Sequence, residues 1–231
     1  LDKAGVYFTD RETVNKVEKM KVCTCLNPLH TALALSGCLL GFGLICDEMK
    51  DKDLKKMVEI LGYKEGLPVV VDPKIIKPKT FIDKKNEKRL PNPFMPDTPQ
   101  RIATDTSQKL AIRFGETIKA YQASDELDVK ALKLIPLVFA GWLRYLMAVD
   151  DEGNKFELSP DPLLDTVCPY VAGLELKENQ DVEAQVAPVL KMKQIFGVDL
   201  YEAGLADMVV GYLKELTAGV GAVRATLKKY V

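Results

Sequence analysis

A lysine, a carboxamide and the only histidine of the chain stand close together, at Lys21, Asn27 and His30. An amine can take a proton, a carboxamide can hold an oxygen without adding charge, and an imidazole can do either. Such a set suits proton transfer at an alcohol or carbonyl oxygen. Asn27 and His30 are three positions apart, about 60° around a helix, so they can face one site. Lys21 is nine positions before His30 and, on a regular helix, falls on the opposite face. Pro28 alters this, because its ring would clash with the carbonyl of Thr24 and open the helix. A one-residue π-type bulge removes about 100° of rotation and brings Lys21 to about 80° from His30. A plainer reading stands beside it. Asn27 can cap a new helix with Pro28 in its first position, leaving His30 as a satisfied core histidine. Spacing alone keeps both open.

A second set lies in RIATDTSQKLAIR at 101–113, where Arg101, Asp105, Lys109 and Arg113 recur every four residues. On a helix they form one charged ridge, beside an apolar one of Ile102, Leu110, Phe114 and Ile118. The ridge reads either as a solvated ladder of ion pairs or as a cradle for an anion or polyol, since Arg and Lys donate to carboxylate and hydroxyl groups.

The elements that must position these groups are mostly helical. Thr9 and Glu12 have capping-box spacing, and a helix follows towards Gly41. DLKKMVEIL at 53–61 predicts a second helix, ending at Gly62. Residues 64–97 hold six prolines, a β-like VVV at 69–71 and the polar run DKKNEKR. They predict an irregular excursion with one or two short strands. Helix returns at Asp97-Thr98-Pro99 and runs to about Tyr121. Ser124 can cap another, from 125 to about 149, with the apolar middle LKLIPLVFAGWLRYLMAV. DDEGN at 150–154 predicts a turn, and PDPLLDTV starts another helix. Residues 181–231 predict two or three more, broken near Gly197 and Gly219–Gly221. The fold class is mostly α, with a short irregular or β excursion at about 64–97.

Composition excludes several function classes. The chain has 231 residues, 47% hydrophobic and 28% charged, which suits a soluble globular protein with a substantial core. Net charge is −1, from 32 basic and 33 acidic residues, so neither nucleic acid nor an anionic membrane is an expected partner. The uncharged run at 31–46 is shorter than the ~20 residues a bilayer needs. LDKAGVYFTD has neither the charge pattern of a signal peptide nor an initiator Met, as in a fragment or a processed product. Of five cysteines only Cys23 and Cys25 are close, which makes no zinc pattern, so no metal is expected. An odd set of cysteines beside a good core points to a reducing, cytoplasmic compartment. There is no G-x-G-x-x-G, no G-x-x-x-x-G-K-[ST] and no G-x-S-x-G, so neither a nucleotide loop nor a hydrolase triad is expected within this chain.

Four segments in register resemble the polyol-specific long-chain dehydrogenases, which include mannitol dehydrogenase and the reductases of fructuronate and tagaturonate. LNPLHTALA is similar to that family's LNG-x-H-(S/T)-x-L-A segment. NPFMPDTPQRIATDTSQKLAIR at 92–113 resembles its NP…RIA-x-D-x-S-x-K…R segment, and FAGWLRYLMAVDDEGN with SPDP at 139–162 its A-x-W-x-R-Y…D-x-x-G…DP stretch. IFGVDL at 195–200 fits the C-terminal part. The resemblance implies a helical substrate and catalytic domain like those of 6-phosphogluconate-dehydrogenase-like enzymes, spanning 1–231. Its NAD(P)-binding Rossmann domain would precede it, outside this chain, and would hold the NAD or NADP. It implies Lys21 as general base, Asn27 as the donor to the reacting oxygen, His30 as a positioner of hydroxyls, and Arg101 and Lys109 at the distal end of the substrate. The expected activity interconverts a hexitol or aldonate, such as mannitol or mannonate, and its keto sugar, such as fructose or fructuronate. This chain alone would be inactive. The family has four residues between the Lys and the Asn, whereas VCTCL makes five, a surplus that a bulge would absorb. Lys19 is the alternative base. The competing hypothesis is a non-catalytic helical binding or assembly module of the same architecture.

Overall fold

The computed structural model describes Lys3 and residues 6–231; positions 1–2 and 4–5 of LDKAGVYFTD lie outside the described residues. Asp10 opens the first helix by accepting the Thr13 amide at 2.8 Å, so the cap is Asp10 and not the Thr9–Glu12 box. Helix α1 (Arg11–Met20) runs through a π turn, Lys21–Cys25, into α2 (Asn27–Leu39). This 29-residue run, Arg11–Leu39, is long and apolar enough to cross a bilayer by length and composition. Its apolar window is 78% buried against the rest of the fold, as in a core helix. Helices α3 (Ile45–Glu48) and α4 (Lys52–Glu59) follow, α4 continuing into a π turn over Ile60–Gly66.

The stretch 64–97 holds no strand. Val69 belongs to a 3-10 turn (Leu67–Val69), and α5 (Pro78–Lys84) leads into a π turn, Lys85–Arg89. Proline suits the start of α5, because the first helical amide has no partner there in any case. Ile82 and Leu29 then close over the bare Cα of Gly62, which ties α5 to α2. Among the described residues the one isolated β-bridge pairs Val149 with Lys155, across the 150–154 turn.

The single helix expected up to Tyr121 is broken. The chain forms α6 (Pro99–Ala103), a left-handed residue at Asp105 (φ 54°), a 3-10 turn, a π turn over Ala111–Gly115, and α7 (Glu116–Gln122). The reason is tertiary: the Asp105 amide donates to Pro160 O at 2.9 Å, and Asp161 accepts the Ser107 amide at 2.8 Å and the Ser107 hydroxyl. Ser124 accepts two amides but makes only a turn. Helix α8 (Leu134–Leu146) starts later, where the Glu65 carboxylate accepts the amides of Lys133, Leu134 and Ile135 at 2.7–2.9 Å. Beyond it come α9 (Leu164–Val167), α10 (Val182–Leu190), α11 (Lys193–Phe196), α12 (Ala206–Leu216) and α13 (Ala222–Tyr230). The C-terminal part thus has one helix more than expected, with the breaks at Gly197 and 219–221 in place.

Helices α2 and α8 pack together at the centre and are buried on most faces. Helix α6 crosses α2, α12 lies along α8, and α13 packs on α12 and α4. At the base of α2, the wholly buried Glu48 carboxyl presses on Gly37, where an added Cβ would collide with it. Neither Glu48 oxygen has a partner, and burial, with Asp51 nearby, raises its pKa from 4.5 to about 9. The folded carboxyl therefore keeps its proton where the unfolded one has lost it, so stability falls as pH rises from about 4.5 to 9. Glu48→Gln is expected to raise Tm at pH 8 and to flatten this pH dependence. Parallel Tm–pH curves for the two proteins would refute it.

Candidate active site

The π turn at Lys21–Cys25 sets which way the lysine faces. The Leu26 amide donates to Lys21 O at 3.2 Å, five residues back, and Leu26 then leaves helical geometry at φ −141°, ψ −60°. Helix α2 restarts at Asn27 with Pro28 in its first turn. The opening that Pro28 demands is therefore present. Two other π turns follow the same rule. Pro68 and Pro91 each have their i−4 carbonyl, of Lys64 and Glu87, inside the turns Ile60–Gly66 and Lys85–Arg89. The Tyr121 hydroxyl donates to the Lys64 carbonyl at 3.4 Å.

Leu26, not Asn27, is the cap of α2, without a side-chain bond. The Asn27 carboxamide is thus not used up in capping. The Asn27 carbonyl accepts the Thr31 hydroxyl at 2.9 Å, and Arg113 donates to the Thr31 oxygen, which fixes the first turn of α2 from below. His30, one turn on, is 8% exposed, and its Nε2 is buried without a partner. Burial lowers its pKa to about 4; Asp97 opposes this, while Arg89, Arg113 and Arg101 add to it. His30 is therefore neutral at physiological pH and can donate to or accept from a hydroxyl.

Lys21 Nζ lies 6.0 Å from the Phe81 ring centroid, and Lys85 Nζ lies 4.6 Å from the same centroid. Burial holds the Lys85 ammonium below its ordinary pKa, with Arg89, Lys21 and Lys84 adding to the shift. The charge of Arg89 thus acts on both Lys85 and His30, and Lys21 and Lys85 share the Phe81 ring. Lys19 faces elsewhere, 3.9 Å from Glu116 beside an open groove lined by Val22, Cys23 and Ile112.

The four-residue ladder of the 101–113 segment does not form, because Asp105 breaks the helix. Arg101 pairs with Asp97, and Lys109 donates to the carbonyls of Ile102 and Thr104. Arg113 is taken up by Thr31, and burial lowers its pKa to about 10. Among the described residues, Lys21, Lys85, Arg89, Lys109 and Arg113 make no carboxylate ion pair. Arg89, Arg101 and Arg113 thus make a basic basin around His30, while Lys21 stands with Lys85 against Phe81.

Lys85 and Arg89, with the buried and unpaired Asn86, were hidden in a run that reads as solvent-facing. A usable signal was there: Ile82, Asn86 and Leu90 recur every four residues on the buried side, and Pro91 marks the turn before it. Cys23 and Cys25 are buried on the π turn, and no metal-binding group of His, Cys, Asp or Glu forms among the described residues.

The sequence motifs interlock around this basin. Ser159 donates its hydroxyl to Gln100 O at 2.7 Å and its amide to the Tyr145 hydroxyl at 2.8 Å. Phe139 packs on Phe114 and Phe196, and Phe196 on Trp142. Gly115 lies so close to the Phe196 carbonyl and to Gly197, whose Cα would be 3.0 Å from an added Cβ, that only glycine fits. Residues 13–217 match the mannitol dehydrogenase C-terminal domain. The chain belongs to the mannitol dehydrogenase family. Among its family relatives is D-mannonate oxidoreductase of Thermotoga maritima, 56% identical over 98% of this chain and 42% of that protein. Mannitol 2-dehydrogenase of Emericella nidulans is 30% identical over 87% of this chain and 37% of its own length. Mannitol 2-dehydrogenase of Pseudomonas fluorescens, solved as a ternary complex with NAD and D-mannitol, superposes with a TM-score of 0.81 at 25% identity, over 99% of this chain and 43% of that one. The chain thus spans less than half the length of these mannitol dehydrogenase family members.

Proposed function

We propose that this chain is the substrate-binding and catalytic part of an NAD(P)-dependent oxidoreductase. The full enzyme interconverts a hexitol or aldonate and its 2-keto or 5-keto sugar, with the sugar acid preferred. The observation that carries the preference is that Lys21, Lys85, Arg89 and Arg113 have no carboxylate partner among the described residues, while His30 is neutral and its Nε2 unpaired. The relatives named D-mannonate oxidoreductase and mannitol 2-dehydrogenase support the reaction class.

Nothing in the chain fits a dinucleotide: it has no phosphate-binding glycine turn, and its glycine cluster at 37–43 closes the far end of α2, away from the basin. NAD or NADP, which supplies the hydride acceptor when bound, belongs to an N-terminal Rossmann domain outside this chain. What the chain contributes is proton transfer and positioning. As the carbinol C–H bond breaks, Lys21 Nζ takes the hydroxyl proton, and the C–O bond becomes a carbonyl. In reduction the same ammonium returns the proton. The Asn27 carboxamide donates to the reacting oxygen and His30 to a neighbouring hydroxyl, both without net charge. Arg101 and Lys109 border the distal end. The five cysteines are all unpaired thiols, which supports a cytoplasmic setting.

A turnover screen of the full-length protein with NAD and NADP tests this reading. The expected result is oxidation of D-mannonate, with slower oxidation of D-mannitol. No turnover of any hexitol, hexonate or ketouronate would leave the non-catalytic module as the better account.

A further inference from the structure

Arg89 shares with His30 a feature that the proposed mechanism uses only at His30. The buried Nε of Arg89 and the buried Nε2 of His30 have no hydrogen-bond partner. An orphaned donor of this kind is costly, and a guanidinium edge more so than a neutral group. The cations of the 101–113 segment are engaged. Arg101 pairs with Asp97, Lys109 is held by two backbone carbonyls, and Arg113 by Thr31. Lys21 is assigned to the reacting oxygen. Lys85 and Arg89 remain, on one π turn, and Lys85 has only the face of Phe81 against its ammonium.

Resting on the reading above, we propose that Arg89, backed by Lys85, is the carboxylate anchor that makes the site select a sugar acid over the matching hexitol. A carboxylate offers two oxygens to the fork of a guanidinium, whereas a terminal CH2OH offers one neutral oxygen and leaves the cation unpaired. Discrimination then comes from both directions: the acid gains a charge-assisted contact, and the hexitol leaves a buried donor unsatisfied. The π turn serves this end. Leu90 N reaches back five residues to Lys85 O at 2.9 Å, which rotates Arg89 relative to Lys85 within a single turn.

The test is the ratio of kcat/KM for D-mannonate to that for D-mannitol, in the full-length enzyme, for wild type, Arg89→Leu and Arg89→Lys. Arg89→Leu is expected to lower kcat/KM for mannonate by about 10- to 100-fold, mainly through KM, while mannitol is unchanged or improves. Arg89→Lys should recover part of the loss, because it keeps the charge but not the fork. An equal fall on both substrates, or no change in the ratio, would overturn the anchor while the oxidoreductase reading stands. Wild-type preference for mannitol would overturn the anchor as well. Wild-type inactivity on both substrates would overturn the anchor as stated, and inactivity on every hexitol, hexonate and ketouronate would overturn the oxidoreductase reading with it.

Discussion

Lys21→Ala in the full-length enzyme is expected to lower kcat by about 10²–10⁴-fold at neutral pH, the usual weight of a positioned general base. Lys19→Ala is expected to retain near wild-type kcat. The two lysines are two residues apart, so composition cannot separate them. Their surroundings differ: Lys21 shares the Phe81 ring with Lys85, whereas Lys19 lies 3.9 Å from Glu116. A small primary amine added to Lys21→Ala should restore part of the rate, because the missing part is a proton acceptor. Loss of activity in Lys19→Ala with retention in Lys21→Ala would reverse the assignment. The π turn changes the register between Lys21 and His30, which a regular helix would place on opposite faces.

Arg144→Met is expected to cost on the order of 3–5 kcal/mol, a large share of the stability of a typical domain. Arg144 has no exposed surface. Its Nε donates to Leu216 O at 3.2 Å, Nη2 to Asp150 O at 2.9 Å, and Nη1 to Val149 O. Methionine fills a similar volume but leaves Leu216 O and Val149 O without a donor, and Asp150 O with only the Gly153 amide at 3.2 Å. Their positions widen the effect. Leu216 ends α12, and Val149 and Asp150 lead into Asp151, whose carboxylate caps α13 through the amides of Val223 and Arg224 at 2.8 and 3.0 Å. The Asp151 amide also donates to Leu39 O, at the end of α2, at 2.8 Å. Urea unfolding would check this: the midpoint should fall steeply at an unchanged slope. A shift worth under about 1 kcal/mol would show that water replaces the guanidinium at little cost.

Both residues stand in motifs that are visible in the sequence, for different reasons. Lys21 belongs to the proposed site. Arg144 is in a motif of the scaffold, as are Tyr145, Ser159, Asp161 and Gly115, which hold the 101–113 segment in place. A motif match alone does not sort the two kinds.

The sequence by itself determined the central helices and the family, and it offered the π opening as one of two readings. Long apolar runs at 28–39 and 134–146 have to be buried, and Pro28 cannot coexist with a regular i→i−4 ladder at Thr24. Those constraints act over a few residues and can be read locally. Tertiary structure alone decided where the remaining cations go. Helix α5 and its π turn have no broad apolar stripe and stand on Ile82, Asn86 and Leu90, packed on partners distant in sequence. Asp105 takes a left-handed conformation where its segment bonds to Pro160 and Asp161, more than fifty residues away. Such contacts set the direction of Arg89 and break the charged ladder. They depend on which surfaces meet, and no local spacing encodes that.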